Sequence, residues 1–390
     1  MQVTMLSFWQ DKCGITEYTR SLVKGLRQFA TVRVVPTDVE FNKVIARSTA
    51  KMLNEGDIAH IQHNTDYFGT WRNPLKNYYF LALIKHIKVP LIVTVHDLPP
   101  RLPFRKGASA FKTLVYNGLV VPLVNWSPYG QFTTGGFLKA ADHIIVHSDN
   151  NRRTLRSKKI VDERISVLYP GIPELAPAKV SVKEVYGLHG IKLLTMFGFI
   201  APYKGYETAL QALKLLPKDV ALLIAGGIRG EYFKPYLAEL HRSIESLDLR
   251  DRVVVTGYLD EEKAGAALLA SDIILLTHRP SSIAGGTSYG LSYALAAKRP
   301  VITSDLPFFC EIEQKFSAVK TFKEGNCQAL ANAIMAALNS NAENKTARGK
   351  YQEMWSWENV AEKTYQIYRE VLQKGVHSVR SKALDAPVLS

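Results

Sequence analysis

The sequence predicts an α/β protein made of two similar doubly wound domains that face each other across a cleft. Short apolar runs of strand length alternate with segments that have the periodicity of amphipathic helices. Polar residues or glycines follow several of these runs directly, as they do at the carboxyl ends of parallel strands, where ligands bind. A segment rich in proline and glycine, residues 168–177, separates two alternating halves, and 390 residues exceed the usual size of one core.

The first half of the chain contains five predicted strands. They lie at residues 1–9, 32–35, 57–62, 90–96 and 142–148. Between the first two strands we predict a helix from about Thr16 to Gln28, with Thr16 as its N-cap.

The insertion between residues 97 and 141 combines basic residues with an apolar, aromatic stretch. This composition is typical of an interfacial element that docks at a membrane. It is also compatible with a buried helix pair that covers the sheet, because Pro122 and a weak polar face interrupt the amphipathic pattern. Both interpretations remain open at this point.

The second half of the chain repeats the alternation. Its predicted strands lie at residues 192–197, 220–225, 253–256, 272–277 and 300–303. A closing helix is predicted from about Trp357 to Leu372, with an apolar stripe formed by Val360, Tyr365, Ile367, Tyr368 and Leu372. The expected domains are residues 1–177 and 178–352, followed by residues 353–374, a helix that packs back on the first domain, and a loose tail, residues 375–390.

Composition indicates the compartment. No apolar run approaches the ~18 residues that a membrane-spanning helix requires. The first residues lack a basic region and a cleavage site, so export is not expected. Cys13, Cys310 and Cys327 form no pairable framework and show no CxxC spacing. This usage is typical of a reducing cytoplasm, and we expect a cytoplasmic protein without structural zinc.

The formal net charge is +14 and is concentrated in the first half of the chain. Residues 1–180 carry 24 Lys and Arg against 13 Asp and Glu, whereas residues 181–390 carry 25 against 22. Such an excess indicates an anionic partner. Nucleic acid is not expected, because no zinc finger, RNP signature or basic zipper is present. An anionic substrate, or an acidic membrane surface bound peripherally at its inner face, fits the charge better.

The stretch from His278 to Ile302 has the pattern of an anion site. A predicted strand, residues 272–277, leads into a loop of small residues, 281–288, and then into an apolar helix that begins at Tyr289. The first amides of a helix have no intrahelical partner and point at a ligand. A plain βα turn with small residues for close packing gives the same pattern, so this stretch alone leaves both possibilities open.

Three other strand ends in the second half carry similar features. Lys204 follows the strand that ends at Gly198, and a cation held at such a turn suits a diphosphate. Gly226 and Gly227 end the next strand, and Gly257 ends the one after it. Four successive strand ends therefore present glycine, a basic residue or helix amides to one place.

At this point the chain resembles a known family. The relevant segments, in order, are H-I-Q-H, V-P-L-I-V-T-V-H-D, I-I-V-H-S, F-G-F-I-A-P-Y-K-G-Y-E-T-A-L, L-L-I-A-G-G, D-R-V-V-V-T-G-Y-L, A-S-D-I-I-L-L and Y-A-L-A-A-K-R-P-V-I-T-S. This set resembles the retaining nucleotide-sugar glycosyltransferases of family 4, also called group 1, over nearly the whole chain. The resemblance implies the GT-B fold, with an acceptor-side first domain and a nucleotide-sugar-binding second domain. It also implies transfer of a hexose to a hydroxyl acceptor with retention, in polysaccharide, glycolipid or glycoconjugate synthesis.

The resemblance also implies roles for individual residues. Lys204 matches the lysine that contacts the donor diphosphate, and Arg279 replaces the companion arginine, because Phe199 stands at that arginine's position. His96 matches the histidine near the reacting sugar, which completes the catalytic set. The implied donor-binding set is Gly14, Gly198, Lys204, Gly227, Gly257, Tyr258, Leu259, Gly285, Gly286, Thr287, Ser288, Tyr289, Gly290 and Tyr293, and the acceptor-side set is Gln62, His63 and Asp97.

The sequence departs from the family where two glutamates are common. Gly285 and Tyr293 occupy those positions, so neither carboxylate is present and the family pattern does not determine the sugar specificity. The missing glutamates motivate one alternative, a catalytically silent GT-B sugar-binding or partner subunit. A GT-B nucleotide-sugar epimerase or a phosphorylase would share the architecture and is the other alternative, although the sequence shows no motif for the pyridoxal cofactor of a phosphorylase. His60, His63 and Asp66 lack the supporting ligands of a zinc site. We expect no metal and no cofactor, with the nucleotide sugar as a substrate.

Overall fold

The computed structural model describes residues 1–10, 13–37, 42–64, 68, 74–98, 110–122, 136–175, 182–280, 288–339 and 345–374. The chain forms two compact units. The N-terminal unit contains Met1–Pro170 and the C-terminal helix that begins at Trp357, and the C-terminal unit contains Gly171–Ser281 and Ser288–Ser356. The predicted boundary between residues 177 and 178 lies outside the described residues.

The N-terminal unit is built on a parallel sheet in the order β2-β1-β3-β4-β5-β6. Its strands are β1 Gln2–Phe8, β2 Thr31–Thr37, β3 Ile58–His63, β4 Leu91–Val95, β5 His143–Val146 and β6 Ile165–Val167. Its helices are α1 Gly14–Leu26, α2 Lys43–Leu53, α3 Pro74–His86, α4 Ala110–Val115, which continues as a π-helix over Tyr116–Val120, and α5 Asp149–Ser157. The prediction omitted β6, because a strand of three residues is too short to show a period.

The start of α1 differs from the prediction. The helix begins at Gly14 with Cys13 at the N-cap position, so Thr16 lies inside its first turn. The buried Thr16 hydroxyl accepts a hydrogen bond from the Gln10 amide at 3.1 Å and lies 3.3 Å from the Phe8 carbonyl. Its polar group therefore stabilises the loop after β1 instead of the helix end.

The C-terminal unit is built on a second parallel sheet in the order β12-β11-β10-β7-β8-β9. Its strands are β7 Lys192–Phe197, β8 Val220–Ala225, β9 Val253–Val255, β10 Ile273–Leu276, β11 Val301–Ser304 and β12 Lys320–Phe322. The helices are α6 Val182–Val185, α7 Tyr206–Leu215, α8 Lys234–Ser246, α9 Glu261–Ala270, α10 Tyr289–Ala296, α11 Pro307–Phe316, α12 Cys327–Asn339 and α13 Lys345–Met354. The strand order reverses between β7 and β10, and open α/β sheets bind ligands outside the strand ends at such a point.

Helix α14, Trp357–Lys374, packs against α1 in the N-terminal unit. The predicted stripe is correct for Val360, Ile367 and Tyr368, which are buried, and wrong for Leu372, which is 37% exposed. Val371 takes the buried position. The approach is close at Gly25, where an added Cβ would lie 2.6 Å from the Ala361 Cβ.

The described part of the 97–141 insertion exposes apolar side chains. Leu114 is 71% exposed and Leu119 is 66% exposed, and Val115 between them is also exposed. Val121, directly after the π-helix, is buried. No helix in the described part of the chain has the length and apolar character needed to cross a membrane.

The packing of α1 on α14 gives the first prediction. Gly25→Ala should reduce the free energy of unfolding of the N-terminal unit by about 1–3 kcal/mol, because the added methyl overpacks the contact with Ala361. The matched control is Gly349→Ala, also inside a helix, where an added Cβ has no neighbour within 4 Å. The control should be stabilised by about 0.5–1 kcal/mol through helix propensity. Urea unfolding measures both, and equal stabilisation of the two variants would contradict the close approach.

Candidate active site

The loops after β7 and β10 are tied together at the point where the strand order reverses. Thr277, directly after β10, donates its hydroxyl to the carbonyl oxygens of Lys204 at 2.8 Å and Gly205 at 3.0 Å. The Arg279 amide donates to the carbonyl of Tyr203 at 2.8 Å. These bonds fix the position of the 3-10 turn Pro202–Lys204 relative to the end of β10.

Gly205 makes this arrangement possible. Its φ of 70° lies in the left-handed region, and a Cβ at this position would overlap the Thr277 carbonyl oxygen. Any other residue would push the Lys204 turn away from β10, because the overlap is with backbone and cannot be relieved by a rotamer change. The glycine after Lys204 is therefore required by the geometry of the site.

Lys204 is the buried cation of the site, with 9% of its surface exposed. Its Nζ lies 3.1 Å from His278 Nε2, and added Cβ atoms on Gly198 and Gly290 would lie 3.6 Å and 3.9 Å from it. Burial lowers the pKa of the Lys204 ammonium to about 8. Among the described residues, no carboxylate forms an ion pair with it.

This position of Lys204 has the electrostatic features that suit an anion. Gly290 lies in the first turn of α10, whose N-terminal end carries a partial positive charge and unpaired amides. A buried ammonium beside that helix end adds a second positive charge, which is favourable only when an anion is bound. A phosphate group satisfies both, because its oxygens accept hydrogen bonds from the ammonium and the helix amides.

Arg279 lies at the same strand end but has a partner within the protein. One guanidinium nitrogen lies 3.4 Å from a Glu207 carboxylate oxygen, and the other oxygen of Glu207 accepts a 2.8 Å hydrogen bond from the Tyr236 hydroxyl. The Arg279 side chain remains 42% exposed. It can therefore share its positive charge between Glu207 and a ligand.

The other glycine loops approach the same strand end. A Cβ on Gly226 would overlap the Gly198 carbonyl oxygen, and the Gly227 carbonyl accepts the Ile200 amide at 2.9 Å. Gly257 after β9 adopts a φ of 72° and leaves Tyr258 half exposed, while Leu259 packs partly buried against the core. The ends of β7, β8 and β9 are thus in backbone contact.

The start of α10 completes the C-terminal candidates. Ser288 occupies the N-cap position, but its side chain makes no capping hydrogen bond. The ring of Tyr293 packs 5.3 Å from Phe197 and 5.4 Å from Tyr289. The predicted Gly285, Gly286 and Thr287 lie outside the described residues.

In the N-terminal unit, His96 belongs to a buried hydrogen-bond network. Its Nε2 lies 2.9 Å from the Gln62 amide and its Nδ1 lies 3.3 Å from His147 Nε2. His147 Nδ1 is 2.7 Å from the Leu168 carbonyl, and His60 Nδ1 is 2.6 Å from the Tyr368 hydroxyl. Burial lowers the pKa of His96 well below its usual range, and His147, His63 and His60 lower it further.

The network fixes the proton positions of neutral His96. The Gln62 side-chain Oε1 can only accept, so His96 Nε2 donates to it and neutral His96 carries its proton on Nε2. His147 donates from Nδ1 to the Leu168 carbonyl, which orients its ring. Both ring nitrogens of His96 have protein partners, so its ring can bind a ligand only in exchange for one of them.

The structure places His63, a predicted acceptor-side residue, in the interior of the N-terminal unit. This side chain is 1% exposed, and its ring lies within 6 Å of the rings of Phe68, Phe80 and Phe137. Within the described part of the chain, neither ring nitrogen has a hydrogen-bond partner. Gln62 is also fully buried, and Asp97 is buried at the end of β4. β3 is buried on both faces, so the alternation of its side chains leaves no exposed side.

The remaining predicted residues have plain structural positions. Gly14 is the first residue of α1. Among the described residues, no group of three or more His, Cys, Asp or Glu side chains is placed to hold a metal ion. His278 and Thr277 were missed as site residues, although both directly follow a predicted strand, and that position was the available signal.

Each half of the chain matches a known protein family. Residues 183–355 match the family described as "Glycosyl transferases group 1". Residues 46–174 match the family described as "Glycosyltransferase Family 4". Together these two matches span most of both compact units.

The curated relatives are distant in sequence, and three of them are named as enzymes that transfer or attach a sugar. The chain is 25% identical over 267 residues to 2-deoxystreptamine glucosyltransferase of Streptomyces kanamyceticus, covering 66% of this chain and 63% of that one. It is 28% identical over 194 residues to phosphatidyl-myo-inositol mannosyltransferase of Mycobacterium leprae, with 48% of each chain covered. It is 25% identical over 265 residues to alpha-monoglucosyldiacylglycerol synthase of Streptococcus pneumoniae, covering 63% of this chain and 53% of that one. The match therefore spans less than two thirds of each of these relatives.

Solved structures share the fold. Anabaena HepE in complex with UDP superposes with a TM-score of 0.71 at 15% identity, over 95% of this chain and all of that one. WaaG, a glycosyltransferase involved in lipopolysaccharide biosynthesis, superposes with a TM-score of 0.58 at 14% identity, over 94% and 99% of the two chains. At these identities the likeness shows a shared architecture.

The buried histidines give a pH prediction. Burial lowers the pKa of His60 and His63 from 6.5 to about 3, and that of His147 and His143 to about 4. Between pH 6.5 and 4 the unfolded chain binds protons that the folded chain excludes. The free energy of unfolding should therefore fall as the pH falls through this range, by about 1.4 kcal/mol per pH unit for each histidine.

His63→Leu tests this prediction. The variant should gain about 1 kcal/mol at neutral pH, because it removes two buried nitrogens without partners. The slope of its free energy of unfolding against pH should also be smaller, by the amount that corresponds to about one bound proton. The matched control is His86→Leu, an exposed histidine at the end of α3, which should keep the wild-type slope. Urea unfolding at several pH values provides the measurement, and an unchanged slope in His63→Leu would refute the assignment.

Proposed function

We propose that the chain, which has the GT-B fold and matches the group 1 and family 4 glycosyltransferases in its two halves, transfers a hexose from a nucleoside-diphosphate sugar to a hydroxyl acceptor with retention. One observation carries the proposal. Lys204 is a buried ammonium that has no carboxylate partner among the described residues, and it lies at the N-terminal end of α10 where the sheet order reverses. A diphosphate supplies the charge and the acceptor oxygens that this position lacks.

The same position suits the chemistry of glycosyl transfer. When the bond between the sugar C1 and the diphosphate oxygen breaks, its electron pair stays on the diphosphate. Lys204, Arg279 and the first amides of α10 would stabilise this developing negative charge. The acceptor oxygen forms the new bond to C1 on the same face, and its proton passes to the departing phosphate oxygen. The protein therefore needs no covalent intermediate for this reaction.

Relatives support the donor class. HepE has been crystallised with UDP, with UDP and glucose, and with UDP-glucose. The curated relatives are named as glucosyl-, kanosaminyl- and mannosyltransferases. As part of the proposal, we assign the same class of donor, a nucleoside-diphosphate hexose, to this chain. The anomeric configuration of the product, read from its proton coupling constant, tests retention, and inversion would refute that part.

A lipid-linked or anionic acceptor at an acidic membrane surface is the second part of the proposal. It is supported by the basic first half of the chain and by the exposed Leu114, Val115 and Leu119. Two relatives carry a phosphatidyl or diacylglycerol lipid in their names. Membrane contact of this kind combines buried apolar area with attraction to anionic headgroups.

Liposome flotation tests the membrane contact. Wild-type protein should float with vesicles that contain acidic phospholipid and remain behind with neutral vesicles. Leu114→Gln combined with Leu119→Gln should reduce recovery several-fold, because a buried leucine contributes about 1.5–3 kcal/mol. Val185→Gln, which replaces an exposed valine of α6 in the C-terminal unit, is the control. Equal recovery from acidic and neutral vesicles would refute the membrane proposal.

A thermal-shift panel of UDP-, GDP- and dTDP-linked hexoses tests the donor. A ligand that binds only the folded protein raises the melting temperature, and the tightest ligand raises it most at one concentration. At 100 times its Kd the stabilisation is about 2.7 kcal/mol. Binding accompanied by transfer or slow hydrolysis supports the enzyme, binding without turnover would favour a silent sugar-binding subunit, and no shift with any donor would refute the proposal.

Lys204→Met should abolish most donor binding. The change removes a charge-assisted contact with the diphosphate, and such hydrogen bonds contribute about 1.5–3 kcal/mol each, so the donor Kd should rise at least tenfold. The fold should remain intact, because the apolar Met removes a desolvated charge. The control is Lys214→Met on α7, where the ammonium bonds only the Leu247 carbonyl at the surface. An unchanged Kd in Lys204→Met would refute the assigned role.

A further inference from the structure

His278 is the polar partner of Lys204. Its Nε2 lies 3.1 Å from the lysine Nζ, and the imidazole is 6% exposed. The ring packs edge-on against Phe309 at 5.4 Å, and the Ser304 hydroxyl donates to the His278 carbonyl at 2.6 Å. The residue is therefore held from β11 and α11, and its ring has little freedom to move away from the lysine.

Burial, together with the charge of Lys204 beside His278, determines the protonation states of the pair. Burial lowers the pKa of His278 well below its usual range, and the charge of Lys204 lowers it further, so the imidazole is neutral. Lys204 is charged at neutral pH and can only donate. Its ammonium therefore donates to the Nε2 lone pair, and the His278 proton lies on Nδ1.

From this geometry we infer that His278 is a positioning residue, which holds the Lys204 ammonium towards the N-terminus of α10 without neutralising it. A buried lysine is usually paired with a carboxylate, but a carboxylate here would cancel the charge that a diphosphate requires. A neutral imidazole accepts one hydrogen bond and leaves the pair with its full positive charge. The inference rests on the proposed function for its ligand, while the effect on Lys204 is a property of the protein alone.

Other titratable groups near Lys204 do not replace His278. Tyr203, whose ring lies 5.6 Å from the lysine Nζ, and Tyr206 have pKa values raised by burial, so both stay neutral. Glu207 on α7 pairs with Arg279 from the β10 end, which balances its charge. His278 is thus the neutral acceptor from β10 that contacts the ammonium directly.

The first measurement needs no ligand. The 13Cε resonance of Lys204, assigned by its loss in Lys204→Met, reports the lysine titration by NMR. In the wild type the midpoint should lie at about pH 8. His278→Phe leaves the ammonium without an acceptor, so the midpoint should fall by about one pH unit or more. His278→Gln keeps an acceptor oxygen and should restore the midpoint, and His278→Glu should raise it.

The second measurement is nucleoside-diphosphate affinity against pH, by calorimetry with whichever of UDP, GDP and dTDP binds the wild type most tightly. Affinity should decline above the pH at which free Lys204 loses its proton, about tenfold per pH unit. His278→Phe should move the start of this decline to lower pH. His278→Glu should weaken binding already at about pH 6.5, because its carboxylate neutralises the lysine.

The control is Phe309→Leu, which removes the ring packed on His278 but keeps the bond between imidazole and lysine. This variant should titrate and bind as the wild type does. If His278 had only a structural role, His278→Phe would lower the nucleotide affinity by the same factor at every pH and would leave the titration midpoint of Lys204 unchanged. That result would overturn the inference. Failure of all three nucleotides to bind the wild type would instead refute the proposed function, while the NMR titration would still decide the role of His278.

Discussion

The tie between Thr277 and the Lys204 turn is the constraint on which the C-terminal site depends. One hydroxyl bonds two successive carbonyls, and it can do so only because residue 205 is a glycine in the left-handed conformation. These hydrogen bonds hold the backbone of Lys204 against the end of β10, and the Lys204 ammonium is therefore buried. Strand order, turn chemistry and the absence of a side chain at Gly205 therefore combine to place one charge.

That charge is unfavourable for the unliganded protein. An ammonium removed from water and placed beside the positive end of a helix loses solvation, and the described residues supply no counter-ion for Lys204. His278, a neutral hydrogen-bond acceptor, reduces this cost without cancelling the positive charge. In the proposed function, the bound diphosphate supplies the compensating negative charge. The desolvation of the ammonium lowers the stability of the fold. An anion that binds there does not have to desolvate the ammonium again, so its affinity is higher.

The N-terminal unit uses its histidines differently. His60, His96 and His147 are linked through Gln62 and the Tyr368 hydroxyl of α14, and His63 lies in an aromatic cluster without polar partners. Their imidazoles behave as buried neutral groups that order the strand ends. The residues that resemble a family's sugar-binding positions therefore also hold the interior of this unit together.

The sequence by itself determined ten of the twelve strands found among the described residues, their order along the chain and the position of Lys204 after β7, because apolar runs bounded by glycine are local signals. It missed β6 and β12, which have three residues each, and it misplaced the start of α1. Only the tertiary structure decided that Arg279 pairs with Glu207, that His63 is buried and that His278 meets Lys204. These outcomes join residues up to 74 positions apart, and side-chain contacts over such separations depend on how the strands are arranged in the sheet rather than on any local pattern.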